Sequence, residues 1–468
     1  MKKTYGVLFF TVVFISGMLF VGAAQPTRAV GTLPSSRSLV GTILYVGGNG
    51  PDNYSRIQDA IDNASENDTV YVYDDSSPYT QTFNVTKPLH IVGENKETTV
   101  IDVNNTSNRY IIDVQAAFVS ITNFTIQNNP DGIHPNQNGT FSDNNFYNIK
   151  LPFYLVESSN NTISNNLFLN QNVNGVSPGI YLYHGNDNLI TNNMIHDDGQ
   201  HKDDTGIQLA YAFRNHILNN TLINCSITAW EIDYKHNIIQ GNSINGRPLI
   251  CLNNASYRSI SDAAQVVLTR CDHISITSTN FTRQHIAIQI YNSYNCEVSY
   301  CTFYDNIEGI LTDSSDNITI QHNTFHNSLP GNRLREYTIG LCLSGTVNST
   351  VSGNTIIDNS IGFNLQYSRH NQVTHNLFRG NQGIIKLLFT NSAGGISVRE
   401  GYDNLIASNN FIRNLPDATF KDGSNVWLHN FWGRPWITPR PILGIKSSGG
   451  WFLPHLAVEF DLRPALLP

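Results

Sequence analysis

Between His196 and Gly206 the chain reads HDDGQHKDDTG, which places His196, Asp197, Asp198, His201, Lys202, Asp203 and Asp204 in one short loop. It is the densest run of ionisable side chains in a sequence of which only 14 % is charged. Carboxylates are hard oxygen ligands, so Asp197, Asp198, Asp203 and Asp204 form a candidate calcium set. The alternative is a solvated acidic loop that holds nothing. The loop leads into Gly206-Ile-Gln-Leu209, where strand alternation turns Ile207 and Leu209 to one face and Gln208 to the other. The same alternation in neighbouring segments puts Tyr181, Tyr183, Glu231, Asp233, Gln289 and Tyr291 on an outward stripe with Gln208. Tyrosines beside carboxylates and amides suit a carbohydrate groove: rings pack on apolar sugar faces while polar groups bond hydroxyls. The segment around Trp230 slips by one residue against its neighbours, which loosens the placement of Glu231 and Asp233. The sequence singles out no catalytic residue.

The elements that must carry these groups repeat. The pattern apolar-x-x-Asn-x-apolar occurs at Phe141/Asn144/Phe146, Ile163/Asn166/Phe168, Ile190/Asn193/Ile195, Ile217/Asn220/Leu222 and Ile239/Asn242/Ile244. It returns at Ile320/Asn323/Phe325, Val351/Asn354/Ile356, Val373/Asn376/Phe378 and Ile406/Asn409/Phe411, with Thr122, Thr279 or Cys301 in the Asn slot of weaker copies. From Val119 onward the first apolar positions step by 22, 22, 27, 27, 22, 37, 22, 22, 31, 22 and 33 residues. A fixed minimum period of this size marks a repeat architecture. Segments rich in Ile, Val, Phe, Thr and Asn, and broken by Asn and Gly, are strands and turns rather than helices.

One such coil cannot bury its apolar side chains alone and must stack on its neighbours. The expected fold is therefore all-β, a right-handed parallel β-helix, the hand following from the preference of parallel crossovers. Asn144, Asn166, Asn193, Asn220, Asn242, Asn323, Asn354 and Asn376 are expected in one column, each amide bonding the next coil. A second landmark, Gly-apolar-x-apolar, begins at Gly179, Gly206, Gly340, Gly362 and Gly395, always 11 residues before the next repeat start, as does Gly309. Length variation thus falls on the other arm, as loops at about 170–178, 196–205, 245–264, 328–339 and 382–394, expected on one side of the cylinder.

Before the coils, YSRIQDAIDNAS predicts a capping helix with a Ser55/Gln58 capping box and an apolar stripe of Ile57, Ala60, Ile61 and Ala64. The expected layout is an export signal at 1–25, an N-terminal cap and first strands at 41–84, β-helix repeats at 85–415 and a C-terminal cap or tail at 416–468. Two lysines, an apolar run and small residues describe the signal. The apolar run is near spanning length, so an uncleaved anchor is the alternative. No further segment is long and apolar enough to span a membrane. A net charge of −8 excludes a nucleic-acid partner, which needs a basic patch. Six cysteines allow fifteen disulfide pairings without choosing among them. Roughly fifteen Asn-x-Ser/Thr sequons make glycosylation available to an exported chain.

The coil pattern, YSRIQDAIDNASENDTVYVY with KPLHIVGENKETTVID, and NSINGRPLICLNN with SDAAQVVLTRCDHISITSTNF resemble the NosD-like β-helix proteins, within the wider group of carbohydrate-binding proteins and sugar hydrolases. The closing NFWGRP and FDLRPA resemble the tail of archaeal cell-surface members. The resemblance implies a secreted or surface protein that binds or organises extracellular polysaccharide or an envelope protein. The competing class is a polysaccharide lyase, hydrolase or epimerase, which needs carboxylates facing across a groove or a base beside calcium. The family name also implies help in copper-site assembly, but scattered histidines and only three methionines offer no copper-type cluster. No cofactor is required by the first reading.

Overall fold

The computed structural model describes residues 41–103, 109–169, 178–197, 205–229, 231–326, 338–382, 394–446 and 455–467. Each regular coil has one long strand and two short ones, as in Ile339–Ser344, Thr350–Ser352 and Thr355–Ile357. Successive coils pair in parallel and in register: Leu341 with Phe363, Val351 with Val373, Ile356 with Phe378. These inward residues are fully buried and fill the axis of a right-handed parallel β-helix. A left-handed residue precedes each bend, for example Asn192, Asn219, His322 and His375. Asn and His are among the few side chains that tolerate this conformation, which is why they crowd the turns.

The bend residue that follows is the buried Asn read from the repeat. Asn323 donates from its main-chain N–H and from Nδ2 to Asn354 Oδ1, at 2.9 and 3.0 Å, and from Nδ2 to Val298 O at 2.9 Å. The same pattern links Asn144, Asn166, Asn193, Asn220 and Asn242, and then Asn354, Asn376, Asn409 and Asn430. The column is real, in two stretches. Further columns escaped the repeat ruler: Asn161–Asn188–Asn215–Asn237, Asn371–Asn404–Asn425 and Asn359–Asn381–Asn414.

Every rung donates toward the C-terminus, so the columns are polar. Their first acceptors are met by main-chain N–H groups, as Phe124 N–H meets Asn144 Oδ1. In the second stack the last donors meet three carboxyl groups: Asp461 for Asn430, Glu459 for Asn425, and Asp417 for Asn414. In the first stack the last amides, Asn242 and Asn237, donate to the main-chain carbonyls of Ile217 and Ala212. Asp461 and Glu459 lie on His455–Asp461, which pairs antiparallel with Arg440–Lys446 and forms the end hairpin.

The glycine landmark has a steric cause. A Cβ on Gly340 would stand 2.6 Å from Gly362 O, one on Gly309 2.4 Å from Gly340 O, and one on Gly362 2.6 Å from Gly395 O. Carbonyls of adjacent rungs approach where any side chain would sit, so a glycine column follows. Gly340→Ala is expected to cost about 2–3 kcal/mol through this overpacking. A urea midpoint unchanged from wild type would contradict the close approach.

The expectation at 245–264 is overturned. That stretch is no loop: Asn245 and Gly246, both at positive φ, turn Ser243–Ile244 back antiparallel onto Arg247–Asn253. Arg247–Asn253 and Ser256–Ile260 then start a new parallel stack under Gln265–Thr269 and Asp272–Thr277. The core accordingly divides into two clusters that meet near this hairpin. The slip around Trp230 corresponds to a helix, α2 (Glu231–His236), and to a register shift between Thr205 and Ile207.

At the other end, α1 (Ile57–Asn63) buries Ile57, Ala60 and Ile61, with Ala64 just beyond it, as the stripe requires. The capping box does not form. Arg56 occupies the N-cap without a side-chain bond, and Gln58 instead bonds Asp62 and the main chain of Asn84. Past Asn414 the coils continue: Ala418–Leu428 pairs in parallel with Ile396–Ala407, and Trp427 and Asn430 occupy buried positions. The cap proper is the hairpin beyond, because tryptophan hides an inward position that the repeat pattern expects to be aliphatic.

Candidate functional site

The long strands present one outward residue per rung in a continuous column. Registers give Asp113, His134, Tyr154, Tyr181, Gln208 and Thr228 in the first stack. In the second stack they give Cys251, Val267, Gln289, Leu311, Cys342, Asn364 and Ser397. Rungs about 4.8 Å apart bring these side chains into stacking distance.

In the first stack the column is aromatic. Tyr110 lies on His134 with ring centroids 4.5 Å apart and planes at 11°. Tyr154 is 6.1 Å from Tyr110 and 5.8 Å from Tyr181, and Tyr181 is 6.4 Å from Tyr183. Tyr183 then meets His184 edge to face, and His184 stacks on Tyr211. Arg109 covers the row, with its guanidinium 5.1 Å from the Tyr110 ring and 4.8 Å from that of Tyr154. Asp131 sits 3.5 Å from Arg109, and His134 Nδ1 is 2.9 Å from Asp113 Oδ1. Burial pushes the Tyr110 and Tyr181 phenols up, with neighbouring Tyr154 adding to both, so these rings remain neutral donors. The sequence reading found Tyr181, Tyr183 and Gln208 here. It missed Tyr110, His134, Tyr154 and Arg109, although Gly132-Ile-His134 repeats the glycine landmark one residue short.

Two more residues of the expected stripe are not on the surface. Gln289 and Tyr291 are buried, Tyr291 donating from its hydroxyl to Gln289 Oε1 at 2.9 Å. The cause is α2: its Tyr234 stacks on Tyr291 and its hydroxyl meets Gln289 Nε2 at 3.2 Å. Glu231 and Asp233 belong to this helix and to no strand, and only their backbone is described. Of the candidate calcium set, Asp198, Asp203 and Asp204 lie outside the described residues. Asp197 is buried at a strand end, its N–H donating to Ile223 O. The loops expected at 170–178, 196–205, 328–339 and 382–394 also fall almost wholly outside. Their described ends lead into Ile180–Tyr183, Thr205–Ala210, Ile339–Ser344 and Ile396–Ala407, all long strands entered at the same corner.

A second group stands out in the second stack. Glu308, just before the landmark Gly309, lies in the ladder between Ile286 and Ile339. Burial pushes its carboxyl up to about 8, partly offset by a hydrogen bond with Cys342, and Oε1 is buried without a partner. Asn364 Nδ2 and Gln366 Nε2 approach the Cys342 sulfur at 3.6 and 4.0 Å. A glutamate in this otherwise apolar position was the available signal.

Copper does not fit the described donors. No group of three or more His, Cys, Asp or Glu is close enough to hold a metal ion among the described residues. The six cysteines form no disulfide, four of them turn onto main-chain carbonyls, and burial pushes Cys251 up to about 12 and Cys296 to about 11. Soft-metal binding needs thiolates, which this environment disfavours.

Among known proteins, no curated sequence matches. Solved structures give the A-module of Azotobacter vinelandii mannuronan C-5 epimerase AlgE6 at 11 % identity, covering 88 % of this chain and 94 % of that one, with a TM-score of 0.33. The catalytic domain of a GH87 alpha-1,3-glucanase in complex with nigerose shares 14 %, covering 82 % and 69 %, at 0.38. Scores of this size bear on neither substrate nor residues. The profile of a family described as periplasmic copper-binding protein (NosD) matches residues 61–260 and 251–450, nearly the whole β-helix. The chain belongs to the NosD family.

Proposed function

We propose that this is an exported, non-catalytic β-helix protein that binds extracellular polysaccharide along the outer face of its long strands. The observation that carries the reading is the row Tyr110, His134, Tyr154 and Tyr181 with Arg109 laid over it. The rings use their faces on one another, so their outward rims carry three phenol hydroxyls and one imidazole edge, with one guanidinium beside them. A sugar chain lying along the axis meets this repeating row of donors and acceptors. Export rests on the first 25 residues acting as a signal. No described helix is long and apolar enough to cross a membrane.

Tyr154→Ala combined with Tyr181→Ala is expected to weaken glycan binding by about 2 kcal/mol, roughly thirtyfold. Calorimetric titration against a panel of neutral and acidic polysaccharides checks this. Running the panel with and without calcium tests the loop Asp197, Asp198, Asp203 and Asp204 in the same experiment. Equal affinities for wild type and the double variant would remove the stripe from the binding surface. Shorter chains appearing in the mixtures would replace this reading by the hydrolase or lyase alternative.

A further inference from the structure

We propose that the patch around Glu308, on the long strands of the second stack, is a second binding subsite for one uncharged sugar unit whose ring oxygen or hydroxyl meets the Glu308 carboxyl. This rests on the reading that the outer face binds polysaccharide.

The patch joins two kinds of surface. Ile286, Ile339 and Ile361 follow Glu308's own column, and Leu311 stands beside it, so a broad apolar floor surrounds the carboxyl. On the next column Cys342 and Asn364 lie on adjacent rungs, and Gln366 turns its amide toward the same sulfur. Carboxyl, thiol and two amides are all neutral hydrogen-bonding groups. An apolar floor with neutral donors matches the amphipathic surface of an uncharged pyranose. A uronate would lay its own charge on this apolar floor, where desolvation disfavours it and no cation of the described column meets it.

The unpartnered Oε1 is the second observation, since a buried polar atom without a hydrogen bond is costly unless something supplies one. A protonated carboxyl offers one donor and one acceptor without charge, as a glutamine amide in its place also does. The described ionisable groups around it are His285 at the head of the preceding strand, Tyr291 on that strand, Asp313 on its own strand, Cys342 opposite, and Arg399 three rungs beyond Asp313. Among the described residues no cation lies in Glu308's own column, so its charged form has no direct partner there.

The sign of the pH effect follows. The native carboxyl titrates near 8 and the unfolded one near its ordinary value, so the native state holds an extra proton between them. Stability therefore falls as pH rises through that window, and Glu308→Gln, neutral throughout, abolishes the fall. Binding is expected to follow the same proton.

The test titrates cellotriose and trigalacturonate into wild type and Glu308→Gln at pH 7 and pH 9, alongside urea unfolding at both values. Wild type is expected to prefer cellotriose and to lose about tenfold affinity at pH 9, where roughly a tenth of the carboxyl stays neutral. Glu308→Gln should keep its affinity at both pH values. A flat wild-type profile, an equal loss in the variant, or preference for trigalacturonate would overturn the subsite. If the pH effect on stability is present but cellotriose binds neither form, the carboxyl is neutral as described and the polysaccharide reading itself has failed.

Discussion

Asn323→Leu is expected to lower unfolding free energy by about 2–5 kcal/mol, because it strands two buried main-chain groups at once. The Val298 carbonyl loses its Nδ2 donor, and the Cys301 N–H loses the Oδ1 it meets at 2.8 Å. Asn354 Oδ1 keeps the main-chain N–H of residue 323 as one of its two partners, so the damage stays on the N-terminal side. Leucine branches at Cγ as asparagine does but is bulkier, so overpacking adds to the lost hydrogen bonds. Hydrogen exchange should show the loss first in Glu297–Ser299 and Thr319–Gln321, since a solenoid couples only neighbouring rungs strongly. A melting temperature within 1 °C or so of wild type would mean that the ladder contributes little.

Asp461→Ala is expected to be worse, at about 3–5 kcal/mol, because it removes a buried carboxylate from donors that have no substitute. Asp461 Oδ2 accepts from Asn430 N–H at 3.0 Å, from Asn430 Nδ2 at 3.1 Å and from Trp432 Nε1 at 3.0 Å. Trp432 in turn stacks on Phe411 with centroids 4.5 Å apart, so the loss reaches the last apolar rung. Asp461→Asn keeps one acceptor oxygen and should cost less than half as much. Comparing the two variants by urea unfolding separates the acceptor role from the charge. Equal destabilisation by both would mean that the negative charge, rather than the closing of the ladder, is what the end requires.

Much of this was legible in the sequence, and the limits have definite causes. The spacing of Asn144, Asn166 and Asn193 revealed the ladder because an inward amide must recur at the coil period. The columns through Asn371 and Asn381 were harder to see, since serine and glutamine share their slots, as at Ser349 and Gln284. The glycine landmark was visible, but its reason, a carbonyl of the next rung, exists only once coils stack. Alternation placed Tyr181, Tyr183 and Gln208 correctly because they sit on regular strands. It failed at Gln289 and Tyr291 because alternation tells which way a side chain turns and not what lies over it. The helix Glu231–His236 covers them, and no strand pattern announces a helix inserted into a coil. Glu308 was passed over because a single acid in a strand looks like any solvent-facing residue until its isoleucine neighbours in the ladder are known.

The stripe lies on the long strands of the first stack and the Glu308 patch on those of the second, with α2 between them in the chain. Both can therefore serve one extended ligand only if that ligand runs along the axis past the helix. The most direct measurement is hydroxyl-radical footprinting of the purified protein with and without its best-binding polysaccharide. The account predicts protection of Tyr110, His134, Tyr154 and Tyr181, with no change at Tyr257 or Tyr300, which point from other parts of the surface. Protection confined to Tyr257, Tyr300 or the end hairpin, with the Tyr110–Tyr181 row unchanged, would contradict it.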